Sequence, residues 1–377
     1  MNFSPLSAVK HRVVLGQPLP FNIRNADHTL LLARGQMMDS VDQMESLFER
    51  GALVDLAELR EPLAHVREAP RELLPALWEQ CLDRVGNTLK ASSQPGFSAA
   101  LNEVSEPVLS LIARDSDLAI FQVLRQSGNA HLEYGTNHSL HAAIAASLVA
   151  QRLGWDAASA QTAFKAALTM NLAMLELQGQ LATQATGVTP AQRQAIKAHP
   201  QASVHMLEQA GITNTDWLRA VGEHHEVPEG TGYPAGKREV SEIASLVRRV
   251  DVYTAKLSAR KGRDAMAADQ AGRTMFMQEP GHPMAAALAK EFGVYPPGCF
   301  VKLASGETAL VIKRGPTVTT PLVAALTSRR GETLAEPEPR DTSKREHAIT
   351  GIVGERSVRV RVKEQKLMAM TLSVAQA

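Results

Sequence analysis

Two adjacent histidines, His224 and His225, stand just before Glu226 and a glycine-rich turn, Gly230-Thr231-Gly232-Tyr233-Pro234. Histidine supplies only 12 of the 377 residues, so the doublet concentrates neutral nitrogen donors in one place. Divalent metals are held by several imidazoles and carboxylates that converge from different elements. Further donors of this kind are His138, with His141 one helical turn later, His199 before Pro200, and Asp251. Taken singly, each has a plainer reading. A lone histidine is satisfied in a core, Asp251 pairs with Arg248, Arg249 or Lys256, and the glycines make a turn whose exit Pro234 fixes. Neighbouring residues on a helix point about 100° apart, so the doublet does not by itself chelate one ion.

These donors need helices to bring them together, and residues 72–290 read as helical. Alanine and leucine are dense, and apolar residues recur at spacings of three and four. Thr189-Pro190 is an N-cap followed by proline at the first helical position, and Gly154 and Gly211 sit where helices stop. His138 and His141 share a face with Ala145 and Leu148. Asp251 lies beside the stripe Ile243, Val247, Val250 and Leu257, where an unpaired carboxylate is costly. The fold class is therefore mainly α, with a smaller module on either side. Residues 1–65 form a mixed α/β module: a hairpin, then a short helix through Met44, Leu47 and Phe48. A linker is marked by Pro62, Pro70 and Pro75. Residues 293–377 form a β-rich module. "FVKLASGETALVIKRG" reads as two strands around a Ser-Gly-Glu turn, residues 327–347 as a mobile charged loop, and "SVRVRVK" (357–363) as a half-exposed strand.

Composition narrows the function classes. The chain is 44% hydrophobic and 21% charged with a formal net charge of +1, so no whole-chain field favours nucleic acid or an anionic membrane. Two distant cysteines, Cys81 and Cys299, exclude a cysteine-based zinc site. The N-terminal stretch has no apolar signal core and no run of about 18 apolar residues spans a bilayer, so the cytoplasm is the expected compartment.

The ordered series His138, His199-Pro200, His224-His225-Glu226, Gly230 to Pro234, Asp251 resembles the HD-GYP family, a branch of the HD phosphohydrolases, over about residues 130–290. "LVAQRLGW", "TPAQ" and "VDVYTAKLSAR" match as well. The resemblance implies an all-α domain with a bi- or trinuclear iron or manganese centre that hydrolyses the bacterial second messenger cyclic di-GMP. It implies that His138, His199, His224, His225 and Asp251 occupy ligand positions. It also implies that Glu226 and Gly230, Thr231, Gly232, Tyr233 and Pro234 belong to a loop for substrate or for a GGDEF-type diguanylate cyclase partner.

The family's eponymous His-Asp pair, and a lysine after it, fall on "KAALTMNLAMLELQ". Met170 stands at the histidine, Asn171 at the aspartate and Met174 at the lysine. Asparagine is a poor bridge between two dications, and a thioether is too soft for iron(II) or manganese. The stretch reads instead as a continuous apolar helix with Ala167, Met170, Met174 and Leu177 on one face. Three readings follow: a degenerate signalling module with little or no hydrolysis, a phosphodiesterase with a reduced one-metal site helped by His141 or Glu226, and a scaffold without a nucleotide role. Arg248, Arg249, Arg260, Lys261 and Arg263 are available to grip a phosphate, although a solvated helix face accounts for most of them.

Overall fold

The computed structural model describes residues 3–13, 15–16, 19–55, 66–125, 133–358, 360, 367–368 and 370–371. Pro62 of the expected linker lies outside them, as does part of the strand expected over 357–363.

Four short strands open the chain: β1 (Phe3–Pro5), β2 (Ile23–Arg24), β3 (Leu30–Leu32) and β4 (Leu53–Asp55). They pair antiparallel in the order β1-β4-β2-β3. Helix α1 (Val41–Glu49), capped by Ser40, lays Met44 and Leu47 against Leu6, Phe21, Ile23 and Val54.

The helical body runs through α2 (Leu74–Lys90), α3 (Phe97–Arg114), α4 (Ser116–Leu124), α5 (Tyr134–Arg152), α6 (Ala157–Thr169), α7 (Leu175–Thr183), α8 (Pro190–Gln209), α9 (Thr215–Glu223), α10 (Glu242–Leu257), α11 (Ala268–Gln278) and α12 (Pro283–Phe292). Pro75, expected in the linker, instead sits in the first turn of α2, where its missing N–H costs nothing. Thr189 caps α8 with a full capping box to Gln192, and Gly154 and Gly211 take positive φ just past α5 and α8. The central helix is α5, in which only Asn137, Gln151 and Arg152 escape burial. Its alanines let α6 and α10 approach closely. At Gly135 the approach is absolute, because a Cβ there would overlap the Leu175 carbonyl.

The body is one hydrophobic core, and the C-terminal sheet shares it. Strands β5 (Phe300–Leu303), β6 (Thr308–Lys313), β7 (Leu322–Thr327), β8 (Thr333–Asp341) and β9 (Ile349–Val353) pair in the order β8-β7-β6-β5-β9. Phe300, Leu310, Ile312, Ala324 and Leu326 face the helices, while Val301, Ala309, Val311 and Val323 form a separate cluster on the other face. Arg314 ties the sheet down by bonds to Asp117 and, at 2.9 Å, to Glu291.

Three expectations are corrected. Residues 327–347 are not a loop, since β8 pairs with β7 from Leu322–Asp341 to Thr327–Thr333. Prolines and charges suit an edge strand, which has an unpaired side and a wet face. The apolar helix through Ala167 and Leu177 is broken: α6 ends at Thr169, a 3-10 turn spans Leu172–Met174, and α7 begins at Leu175. The turn packs on α8, where the Ala173 amide donates to Ser203 Oγ at 3.1 Å. Finally, Ser357 belongs to a 3-10 turn, Glu355–Ser357, and Val358 and Val360 are not in a strand.

Candidate metal centre

The five donors reach the site from four helices. His199 lies at the middle of α8 and His224 and His225 leave the end of α9. His138 is on the second turn of α5 and Asp251 is on α10. The three histidines place one ring nitrogen each within 4.8 Å of one another. Beside them, His138 Nε2 meets Asp251 Oδ1 at 2.7 Å across 113 residues of sequence. The five expected donors thus converge as a histidine triad and an adjoining His-Asp pair.

The triad is set for a cation. His199 Nδ1 lies 2.6 Å from the Ile196 carbonyl, and His224 Nδ1 lies 2.6 Å from the Val221 carbonyl. A carbonyl only accepts, so both Nδ1 atoms carry the proton and both Nε2 atoms are bare in the neutral rings. Those two Nε2 atoms face each other at 3.2 Å. Two lone pairs at that distance repel unless a positive centre lies between them. The rings are held neutral. Burial, then His224, lowers His199 to about 3, and burial chiefly depresses His224 and His225. Burial would raise Asp251, but the hydrogen bond from His138 and the neighbouring imidazoles outweigh it and hold the carboxyl well below its usual range. Neutral imidazoles and an ionised carboxylate are the forms that bind metal, so these residues fit one divalent ion.

The glycine-rich turn closes over this group. Tyr233 stacks on His225 with ring centroids 4.5 Å apart, and its amide donates to the His225 carbonyl at 3.2 Å. The Tyr233-Pro234 peptide is cis, and Gly230 has φ +76°. Glu226 is buried outside the histidine triad, and its two oxygens accept the amides of Ala235 and Lys237. His141 is also apart from the triad.

Burial, then His138, lowers His141 to about 3. The folded value lies below the unfolded one, so between these limits the unfolded chain binds a proton that the folded chain refuses. The contribution to stability is present above the unfolded pKa of about 6.5 and is lost as pH falls, at up to about 1.4 kcal/mol per pH unit. His141→Gln should therefore lower proton uptake on unfolding by about one and flatten the fall of the thermal midpoint below about pH 6. An unchanged slope would refute this assignment.

At the positions of the expected degenerate pair, Met170 is fully buried and Asn171 keeps a buried Nδ2 without a partner. They follow α6, which packs on α9 and α10, the helices of His224 and Asp251. Met174 is half-buried in the 3-10 turn against α8, the helix of His199.

Tyr134 was not singled out by the sequence, whereas Arg260 was, as a candidate phosphate contact. Tyr134 stacks over His138 at 5.9 Å, and Arg260 lies 5.0 Å over Tyr134 with its Nε bonded to the phenol at 2.8 Å. The signal was the one-turn spacing from Tyr134 to His138. Glu223, buried directly before the doublet, and Lys237 were also missed. Arg249 is not on a solvated face as expected: it is buried and, like Arg248, pairs with Glu279.

Residues 118–279 match the HD domain family. Over 143 residues the chain is 32% identical to a cyclic di-GMP phosphodiesterase of Pseudomonas aeruginosa, a match covering 36% of this chain and 34% of that protein. Over 140 residues it is 28% identical to a 3'3'-cGAMP-specific phosphodiesterase of Vibrio cholerae, covering 37% and 30% respectively. The aligned region spans about a third of the length of these curated relatives. A solved HDG"Y"P protein from Bdellovibrio bacteriovorus superposes with a TM-score of 0.49 at 15% identity, covering 77% of this chain and 98% of that one. Residues 118–279 thus carry an HD domain, and its likeness to these two phosphodiesterases fits the HD-GYP family. Among the described residues, no helix is long and apolar enough to cross a membrane.

Proposed function

We propose that the helical domain binds a cyclic dinucleotide of the cyclic di-GMP kind over a single divalent ion, iron or manganese, and reports its presence with little or no hydrolysis. The observation that carries this reading is the site's asymmetry. The triad His199, His224 and His225, with Asp251 beside it, suffices for one ion, whereas Met170 and Asn171 offer nothing hard and anionic for a second. A bound ion would supply a Lewis acid for a phosphoryl oxygen and a positive centre between the opposed Nε2 atoms. The chain's own residues do the rest. Asp251 is kept ionised by His138. Tyr233 covers His225 and shields the site, and Arg260, held on Tyr134, presents a guanidinium to a phosphate. The loop's outer surface is then available to a diguanylate cyclase partner.

The experiment restores the missing pair. Met170→His with Asn171→Asp should raise cyclic di-GMP hydrolysis at least about tenfold and add a second ion. Unchanged hydrolysis despite a second bound ion would contradict this reading. The relatives' names favour a working hydrolase of reduced rate, and brisk turnover by the parent chain would establish that instead.

A further inference from the structure

We propose that Lys237 is a positioning residue, the latch that keeps Tyr233 seated over His225. The latch rests on the proposed function only for what the site binds. Two buried carboxylates, Glu223 and Glu226, bracket the histidine pair, and both take hold of Lys237. Its amide donates to Glu226 Oε2 at 2.9 Å and its Nζ donates to Glu223 Oε1 at 2.9 Å. Glu226 Oε1 also accepts the Ala235 amide at 2.7 Å, so the limb leaving Pro234 is fixed at two points.

Glu223 extends the latch to the next helix. Its Oε2 accepts the Ser241 amide at 3.1 Å, and Ser241 Oγ accepts the Ala244 amide at 3.2 Å to cap α10, which carries Asp251. Arg219 donates to both Glu223 oxygens at 3.1 Å. A continuous set of charge-assisted bonds thus joins the end of α9, the loop and the start of α10, the segments that hold His224, His225, Tyr233 and Asp251. Such bonds are stronger than neutral ones, and the carboxylates are desolvated. On the entry limb, Tyr233 has one backbone bond of 3.2 Å to His225 and its ring contact. Removing the Nζ–Glu223 bond leaves these contacts, the two amide bonds to Glu226 and the Gly230 amide on the Val227 carbonyl at 2.8 Å to hold the loop, with its tie to α9 and α10 weakened.

The Lys237 side chain is 52% exposed and lines an open cavity of about 680 Å³ with Glu223, Arg219 and Arg238, so its replacement leaves no buried void. The test uses the full chain loaded with cobalt(II), and compares Lys237→Met and Lys237→Arg. Lys237→Met should speed backbone amide exchange over 228–241 several-fold, leave exchange in α8 unchanged, and release cobalt to a chelator about tenfold faster. Lys237→Arg, whose guanidinium reaches Glu223, should restore both. Exchange over 228–241 equal to the parent in Lys237→Met would overturn the latch, and so would loss of protection throughout α8. If the parent binds no cobalt, the metal reading fails, while the exchange comparison still decides the latch.

Discussion

Replacing Gly232 with alanine should unseat the loop from the histidine pair. A Cβ at this position would lie 2.5 Å from Glu226 Cα, 2.5 Å from the His225 carbonyl oxygen and 2.7 Å from the Val227 nitrogen. All three are backbone atoms with no rotamer to yield, so the loop itself must move. Movement stretches the Tyr233–His225 bond and the ring stack, and pulls on the Glu226 bonds beyond. Overpacking of this kind costs about 1–3 kcal/mol or more. The control is Gly230→Ala, where the nearest atoms are side-chain atoms of Arg238 at 3.2 Å and the main penalty is positive φ, about 1 kcal/mol. Thermal denaturation and titration with cyclic di-GMP should therefore rank parent above Gly230→Ala above Gly232→Ala. A Gly232→Ala protein matching the parent in both would show that the loop does not press on the doublet.

His224→Ala should abolish metal loading with little change in fold. His224 is fully buried, its Nδ1 is committed to Val221, and its bare Nε2 faces that of His199. Losing an outer partner of a metal ligand typically costs 10–100-fold in affinity, and losing a ligand of a three-imidazole set costs more than about 100-fold. The metal-free protein behaves differently. Truncation opens a small void but removes the lone-pair repulsion with His199, so the two effects oppose each other. Thermal scans with and without manganese separate these effects, because a ligand that binds only the folded chain raises its midpoint. The parent should show the rise and His224→Ala should not. Equal rises in both would place the ion elsewhere.

The local parts of the site were legible because their chemistry lies in short spacing. The doublet, the glycine turn and the Thr189-Pro190 helix start are all read within a few residues. The meeting of His138 with Asp251, 113 residues apart, was available only through the family resemblance. Periodicity places each residue on a helix face but does not say which faces meet. The break after Thr169 was hidden for a related reason. "AALTMNLAMLEL" is apolar enough for one helix, but α5 approaches α7 with no room for a Cβ at Gly135, and Ser203 binds the Ala173 amide. Both are tertiary constraints that override local pattern. Glu223 and Lys237 were passed over because charges next to a turn are usually solvated; here two of the carboxylates are interior and satisfied. The β8 segment was misread in the opposite direction, since composition suited to solvent also suits a sheet edge.

The most direct test of the one-ion account is elemental analysis of the purified chain, paired with a cyclic di-GMP assay on the same preparation. The expected result is one iron or manganese ion per chain, bound cyclic di-GMP, and the dinucleotide recovered intact. Two ions per chain with the dinucleotide linearised at a brisk rate would contradict it.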